Sequence, residues 1–398
     1  PSPDFYGGLR PGENLYANSV VALKLESGAT LWHFQTVHHD VWDYDVPAQP
    51  TLATISVGGK PRDVVIVGNK QAMIFVLDRD TGKPVFPVEE RAVPQSGAAG
   101  EALSPTQPFP ADLPLLAPSR LTANDAWGIT PWDRSRCRDL IAAARNEGLY
   151  TPPSEQGTIL FPFTGGGINW GGVAIDPATD IVYVNTTRLV HIVTLFPAAE
   201  FGAMRKRFPG IEVSPQTGAP FGMKRELLVS PLKLPCNPPP WGVLAALDLR
   251  AKRILWETNL GTTEEIAPLG IALDTGAPNF GGPLVTSGGL VFIGAALDRY
   301  LRAFDARSGA ELWTGRLPAA AGATPMSYQW QGRQYVVVAA GGRADAGIEP
   351  GDALVAFALP RSGDSGPGLL STIIDRPGGR FTAGAAVAGL LLAFAVGA

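Results

Sequence analysis

The chain has 398 residues and a formal net charge of −4, with 47 glycines, 37 prolines and two cysteines. A hydrophobic share of 45% excludes a disordered chain, and a surplus of turn formers over the usual share of about 12% excludes a helical bundle. The glycines lack the triplet period of collagen, no basic run marks a nucleic-acid surface, and two cysteines cannot build a disulfide scaffold or a four-thiolate zinc site.

The first residue is Pro1, and no basic segment leading into an apolar run follows it. No secretion signal is therefore legible, and the simplest reading is a start that is missing or processed. Downstream, one pattern recurs as Ala/Val-x-Asp-x-x-x-Gly-x-x-x-Trp. Its copies are 22–32 (ALKLESGATLW), 76–86 (VLDRDTGKPVF), 174–184 (AIDPATDIVYV), 246–256 (ALDLRAKRILW) and 303–313 (AFDARSGAELW). Each predicts a strand, a tight turn and a second strand ending in a large apolar residue. The Asp bonds back to the turn backbone, the Gly supplies positive φ, and the terminal Trp can pack on a neighbouring unit. The stretch 281–296 (GGPLVTSGGLVFIGAA) predicts the other two strands of such a unit. Four strands in a repeat of about 50 residues are the signature of a β-propeller blade; the alternative is a β-sandwich with coincidental hairpins.

The long gaps before the third and fourth copies predict two insertions, 94–167 and about 190–240. The first is Pro-rich, with a helix expected at 134–147 (RSRCRDLIAAARNE). Long insertions on a rigid scaffold are usually functional loops. After the last repeat, which ends near Leu317, strands are expected at 334–342 and 353–359 with no full repeat behind them. The organisation expected is a partial propeller over 1–360, a polar linker over 361–380 and an apolar tail over 381–398. The tail has 18 uncharged residues, about 27 Å as a helix, so it reads either as a membrane helix or as an artefact. Part of a ring leaves strand edges uncovered, so the isolated chain is expected to be poorly soluble.

Chemistry concentrates in 37–47 (VHHDVWDYDVP), where His38, His39, Asp40, Asp43 and Asp45 surround Trp42. Three of the four histidines lie within 33–39, and the fourth is His191. A metal site, a carboxylate general base and a plain polar loop all suit this composition. A zinc site needs three or four convergent ligands, which favours the base. No nucleophile elbow, dinucleotide fingerprint or phosphate-binding loop is present.

Several long runs together carry a resemblance. They include HHDVWDYDVPAQPTL, GNKQAMIFVLDRDTGKPVFPVEERAVPQ, TPPSEQGTILFP, NWGGVAIDP, LPCNPPPWG and GGPLVTSGGLVFIGAALDRYLRAFD. Over about 1–360 the chain resembles the membrane-bound quinoprotein dehydrogenases of the glucose/quinate type. The resemblance implies an all-β fold, the C-terminal half to two-thirds of an eight-bladed propeller. It also implies pyrroloquinoline quinone (PQQ) with Ca²⁺ or Mg²⁺, ubiquinone as electron acceptor, and a place on the periplasmic face of the bacterial inner membrane. The substrate implied is a sugar, polyol or cyclic hydroxy acid.

Residue by residue, the resemblance makes Asp43 the general base and gives Lys70, Asn169 and Trp170 to the cofactor. The resemblance places the metal ligands and the residues sandwiching the quinone in blades expected before Pro1, so the isolated chain is expected to be inactive. Where glucose-type members carry Gly-Gly-His-Gly, this chain has Gly341-Gly342-Arg343-Ala344. Arg343 is a permanent cation on the substrate side and suits an anionic substrate such as quinate. Cys137 and Cys236 match cysteines of relatives and are expected to pair. A quinate/shikimate-type dehydrogenase and a non-enzymatic propeller scaffold are the alternatives; a scaffold is expected to lack the Asp43, Lys70 and Asn169-Trp170 cluster.

Overall fold

The computed structural model describes residues 2–265, 272–344 and 347–359, together with the backbone of 372–374. Two compact units are distinguished. One is Pro1–Asn169 with Thr187–Pro239, and the other is Trp170–Thr186 with Pro240–Ala398. Antiparallel strands dominate both, as the all-β reading expects.

The repeat turns fold for the reasons their residue types suggest. The Asp78 carboxylate accepts the backbone N–H and the hydroxyl of Thr81 at 3.0 and 2.8 Å. The Asp305 carboxylate accepts the N–H groups of Arg307 and Ser308 at 3.0 and 2.8 Å. Gly82 and Gly309 then take the left-handed conformation, with φ of 69° and 72°. Each of these glycines also receives the tryptophan of the preceding hairpin. The Trp32 indole N–H donates to Arg79 O at 3.0 Å, and that of Trp256 donates to Ala306 O at 3.1 Å. A methyl group on Gly82 would lie 2.4 Å from the Trp32 ring, and one on Gly309 would lie 2.6 Å from that of Trp256.

In the second unit, the sheet Leu284–Val285, Leu290–Ile293, Tyr300–Asp305 and Glu311–Arg316 is a full four-stranded repeat in chain order. The third and fourth copies depart from one hairpin per blade. Val173–Asp176 and Ile181–Thr187 share a sheet with Gly242–Asp248 and Arg253–Asn259, so two copies make one blade-like unit. The chain leaves this sheet after the third copy, which ends in Val184 where the others carry a ring, and returns at Gly242. The strands read at 334–342 and 353–359 are Arg333–Ala340 and Ala353–Phe357. They lie in a four-stranded sheet with Met326–Trp330 and Thr372–Ile374, so a complete sheet follows the last recognisable repeat. Its outermost strand falls inside the stretch read as linker. The rest of 361–380 and the tail 381–398 lie outside the described residues. Among the described residues, no helix is long and apolar enough to cross a membrane.

In the first unit, Thr51–Val57, Lys60–Gly68 and Ile74–Asp78 form a three-stranded meander. The two insertions fold together. Thr158–Leu160 of the first pairs with His191–Pro197 of the second, and that strand pairs with Phe221–Leu227. Glu212–Ser214 completes the sheet. The helix of the first insertion is Pro131–Ala143 rather than 134–147. Thr130 caps it by accepting the Asp133 N–H at 3.1 Å, and proline occupies the first turn. Cys137 of this helix is bonded to Cys236, with Cα atoms 5.2 Å apart, in a core with Leu121, Ile141, Ile159 and Leu228. The disulfide joins one insertion to the other.

Candidate active site

The loop that follows the first hairpin is built around a buried acid. Asp40 accepts the backbone N–H of Trp42 at 2.9 Å and that of Tyr44 at 3.0 Å, and the Asn18 amide donates to it at 3.1 Å. Burial still pushes its carboxyl above the ordinary value. The rings of Trp42 and Tyr44 are buried and bonded at their polar tips. The indole N–H donates to Thr151 O at 2.9 Å, and the phenol donates to Pro162 O at 2.8 Å. Between these anchors, Asp43 has a φ of 58°. This left-handed residue turns its side chain away from its neighbours' direction, and the carboxylate remains about a quarter exposed at 28%.

A second loop meets it. Lys70 lies in the turn joining Lys60–Gly68 to Ile74–Asp78. There the Asn69 carbonyl and side chain accept the N–H groups of Ala72 and Met73 at 2.9 and 3.1 Å. The Lys70 ammonium donates to Asp43 Oδ1 at 3.0 Å and to Asp43 O at 2.8 Å, and it pairs with Asp45. Its stem needs room. A methyl group on Gly166 would fall 2.5 Å from Lys70 Cγ, and the Gly167 N–H donates to Lys70 O at 2.7 Å. Asn169 is buried at the end of this glycine loop, where its amide donates to Gly165 O.

Arg225, on the strand Phe221–Leu227, approaches the other side of Asp43. Its Nη1 donates to Asp43 Oδ2 at 3.1 Å and to the Thr164 hydroxyl at 2.6 Å. Its Nε and Nη2 both bind Glu212, at 2.9 and 2.6 Å. Thr164 Oγ1 lies 3.0 Å from Nδ1 of His191, which is held well below its ordinary pKa first by burial and then by Arg225 and Lys70. Burial and the Asp45 charge push the Asp43 carboxyl up, against the pull of Lys70 and Arg225, to about 6. Desolvation is the largest of these effects. Such a group is a carboxylate near neutrality yet an appreciable base.

The structure therefore brings Asp43 and Lys70 together and keeps Asn169 on the loop packed against Lys70. The histidines of the motif have other partners. His38 Nε2 lies 3.0 Å from Glu90, and His39 Nε2 lies 3.1 Å from Gly7 O. Among the described residues, no group of three or more His, Cys, Asp or Glu converges to hold a metal. Arg225, Thr164 and Glu212 were invisible to sequence reading. Arg225 is 182 residues from Asp43, and a cation in an alternating strand carries no signal of its own.

Trp170 and Arg343 lie in the second unit, on one platform. Trp170 stacks on Phe280 with centroids 5.2 Å apart, and its indole N–H donates to Gly322 O at 2.9 Å. The Arg343 guanidinium lies 3.8 Å from the Phe280 centroid and 5.0 Å from that of Trp170. Gly342 holds this turn with a φ of 66°, and a side chain there would meet Glu349 O at 1.9 Å. Trp170, Ala323, Ala339, Gly341 and Arg343 line a cavity of about 440 Å³.

The donor set at Asp43 can be weighed against the groups the resemblance implies. PQQ is an ortho-quinone bearing carboxylates, and an ammonium and a guanidinium beside a glycine loop fit such oxygen-rich, anionic chemistry. A carboxylate whose two oxygens are each held by a cation does not by itself form a divalent-cation site.

Residues 1–336 match the family described as PQQ: glucose/ethanol/alcohol dehydrogenase, beta-propeller domain. The chain is 42% identical to quinoprotein glucose dehydrogenase of Escherichia coli (strain K12), over 90% of this chain and 46% of the relative. It is 37% identical to quinate/shikimate dehydrogenase (quinone) of Acinetobacter baylyi, again over 90% of this chain and 46% of the relative. In structure it is similar to quinohemoprotein alcohol dehydrogenase from Comamonas testosteroni, with a TM-score of 0.55 and 23% identity over 92% of this chain and 48% of that one. The chain spans about half the length of the curated relatives it matches.

Proposed function

The chain belongs to the PQQ glucose/ethanol/alcohol dehydrogenase β-propeller family, and from that membership we propose that it carries the base and part of the cofactor site of a PQQ-dependent dehydrogenase. Its substrate is a sugar, polyol or cyclic hydroxy acid. The observation that carries this reading is Asp43, a carboxyl pushed up to about 6, fixed between two cations and presented by two buried aromatic anchors.

PQQ, when bound, supplies the two-electron acceptor. Asp43, ionised, accepts the substrate hydroxyl proton at its carboxylate. The electron density left on the substrate oxygen weakens the adjacent C–H bond. Lys70 holds both the side chain and the backbone carbonyl of Asp43, so the acceptor oxygen is oriented before substrate arrives. Lys70 and Asn169 are the residues of the first unit that would hold PQQ. All three donors of the Lys70 ammonium are already engaged within the chain. Contact with an added group therefore exchanges one of them, and the Asp45 pair is the most exposed. Among the described residues, the Ca²⁺ or Mg²⁺ ion expected from the family has no ligand set of its own at Asp43.

Ubiquinone as acceptor is supported by the quinone in the name of the Acinetobacter relative. Placement in the periplasm is supported by the Cys137–Cys236 disulfide, since such bonds persist in oxidising compartments. A second reading, a quinate-type substrate, is favoured by Arg343 on its Trp170–Phe280 platform, because a guanidinium suits a carboxylate.

The test is reconstitution of the full-length enzyme with PQQ and Mg²⁺, followed by dye reduction with glucose and with quinate. Turnover of either, lost in Asp43→Asn, supports the proposal. Undiminished turnover in Asp43→Asn sinks the base assignment.

A further inference from the structure

The guanidinium of Arg225 is bound at both ends of its fork. Nε and Nη2 are tied to Glu212 across the pair of strands Glu212–Ser214 and Phe221–Leu227, and Nη1 points away from that tie toward Asp43 Oδ2 and the Thr164 hydroxyl. The direction of the next bond follows from donor and acceptor chemistry. Arg225 can only donate, so the Thr164 oxygen accepts from it, and the Thr164 hydroxyl proton is left to donate onward to His191 Nδ1 at 3.0 Å. The Thr164 backbone N–H approaches the same nitrogen at 3.3 Å. A ring nitrogen receiving two donors carries no proton, so His191 is neutral with its hydrogen on Nε2. Donation thus runs outward from Arg225, to Glu212 on one side and through Thr164 to His191 on the other, and the second branch ends at a buried group that cannot compete with Asp43 for the arginine.

We propose that Arg225 is a positioning residue for the reaction, aligning and keeping ionised the Asp43 carboxylate from the side opposite Lys70. This rests on the reading of Asp43 as the base. The groups facing Asp43 are Lys70 from the turn between two strands, Arg225 from the second insertion, and Asp45 with Tyr44 on its own loop. Glu212 stands one step behind, against Arg225, and His191 lies behind Thr164. Lysine cannot reproduce the arrangement, because one ammonium does not span Glu212 and Asp43 with a planar fork. The second insertion, expected from the sequence to be a functional loop, then supplies half of the grip on the base.

The experiment compares wild type, Arg225→Gln, Arg225→Lys, Asp43→Asn and the double variant Asp43→Asn/Arg225→Gln. One readout is the pH profile of kcat/KM in the PQQ-loaded full-length enzyme. The other, independent of the cofactor, is ¹³C NMR titration of the Asp43 carboxyl in the unloaded protein, assigned by its loss in Asp43→Asn. Arg225→Gln should move both titrations to higher pH by about one unit, the size of effect a nearby opposite charge has, and lower kcat about tenfold. Arg225→Lys should restore the titration but only part of kcat. The double variant should be no slower than Asp43→Asn alone.

Titrations unmoved by Arg225→Gln, with Asp43→Asn inactive, overturn the role of Arg225 and spare the base. An active Asp43→Asn overturns the base itself. If Arg225→Gln does not fold, Arg225→Lys decides: a wild-type kcat there overturns the proposal, and a lowered kcat with unchanged KM supports it.

Discussion

Lys70 grips Asp43 twice, with its ammonium 3.0 Å from the carboxylate Oδ1 and 2.8 Å from the backbone carbonyl oxygen of the same residue. One contact orients the side chain. The other ties down the left-handed backbone that aims it. Lys70 therefore bears both on where the carboxylate starts and on where it points.

Replacing Asp43 with Asn keeps the shape and removes the proton acceptor. The expected loss in kcat is about 10²- to 10⁴-fold, the usual worth of a positioned general base. The base works ionised, and its carboxyl is pushed up to about 6. In wild type, kcat/KM should therefore rise through about pH 6 and level off on the alkaline side. A profile flat from pH 4 to 8 would contradict this.

Asp45 raises the Asp43 carboxyl and occupies one donor of Lys70. Asp45→Asn removes both effects. The acid limb of kcat/KM should move to lower pH. PQQ should bind more tightly by up to about fivefold, the upper worth of an ion pair open to solvent on one side, as read by fluorescence titration of the unloaded protein.

The Cys137–Cys236 bond closes a loop with a sequence separation of 99. Chain-entropy arguments give such a closure about 4–5 kcal/mol. Cys137→Ser/Cys236→Ser should lower the denaturation midpoint in guanidinium. Added reductant should then have no further effect on the double variant while still destabilising wild type.

Arg343→His replaces a fixed, forked cation with a shorter ring that is mostly neutral near pH 7. A carboxylate-bearing substrate such as quinate should lose about 10- to 100-fold in kcat/KM, in line with a charge-assisted hydrogen bond. Glucose should change far less. Equal losses for both would assign Arg343 to holding the turn at Gly342 rather than to substrate choice.

Much of this was legible because it is local. An Asp and a Gly four residues apart specify a turn wherever they stand, and Asp78–Gly82 and Asp305–Gly309 form it. Asp43 and Lys70 were found through long motifs carrying a resemblance, not through spacing. The helix was placed three residues late because Thr130 and Pro131, its cap and first turn, were read as loop. That the third and fourth copies share a sheet depends on where the chain returns after an insertion, which no local pattern encodes. Arg225 and Thr164 reach the site by tertiary folding alone.

The tryptophan at the end of one hairpin and the glycine that admits it are written in different copies of the repeat, as Trp32 with Gly82 and Trp256 with Gly309 show. In both pairs lock and key are one copy apart. A duplication that copies a whole repeat of this kind inserts a new key and a new lock together and leaves such a joint matched. A break inside a repeat orphans one of each. Where Trp and Gly are paired in this way, the repeat is a unit of assembly, and a step of one whole repeat arrives already fitted to its neighbour.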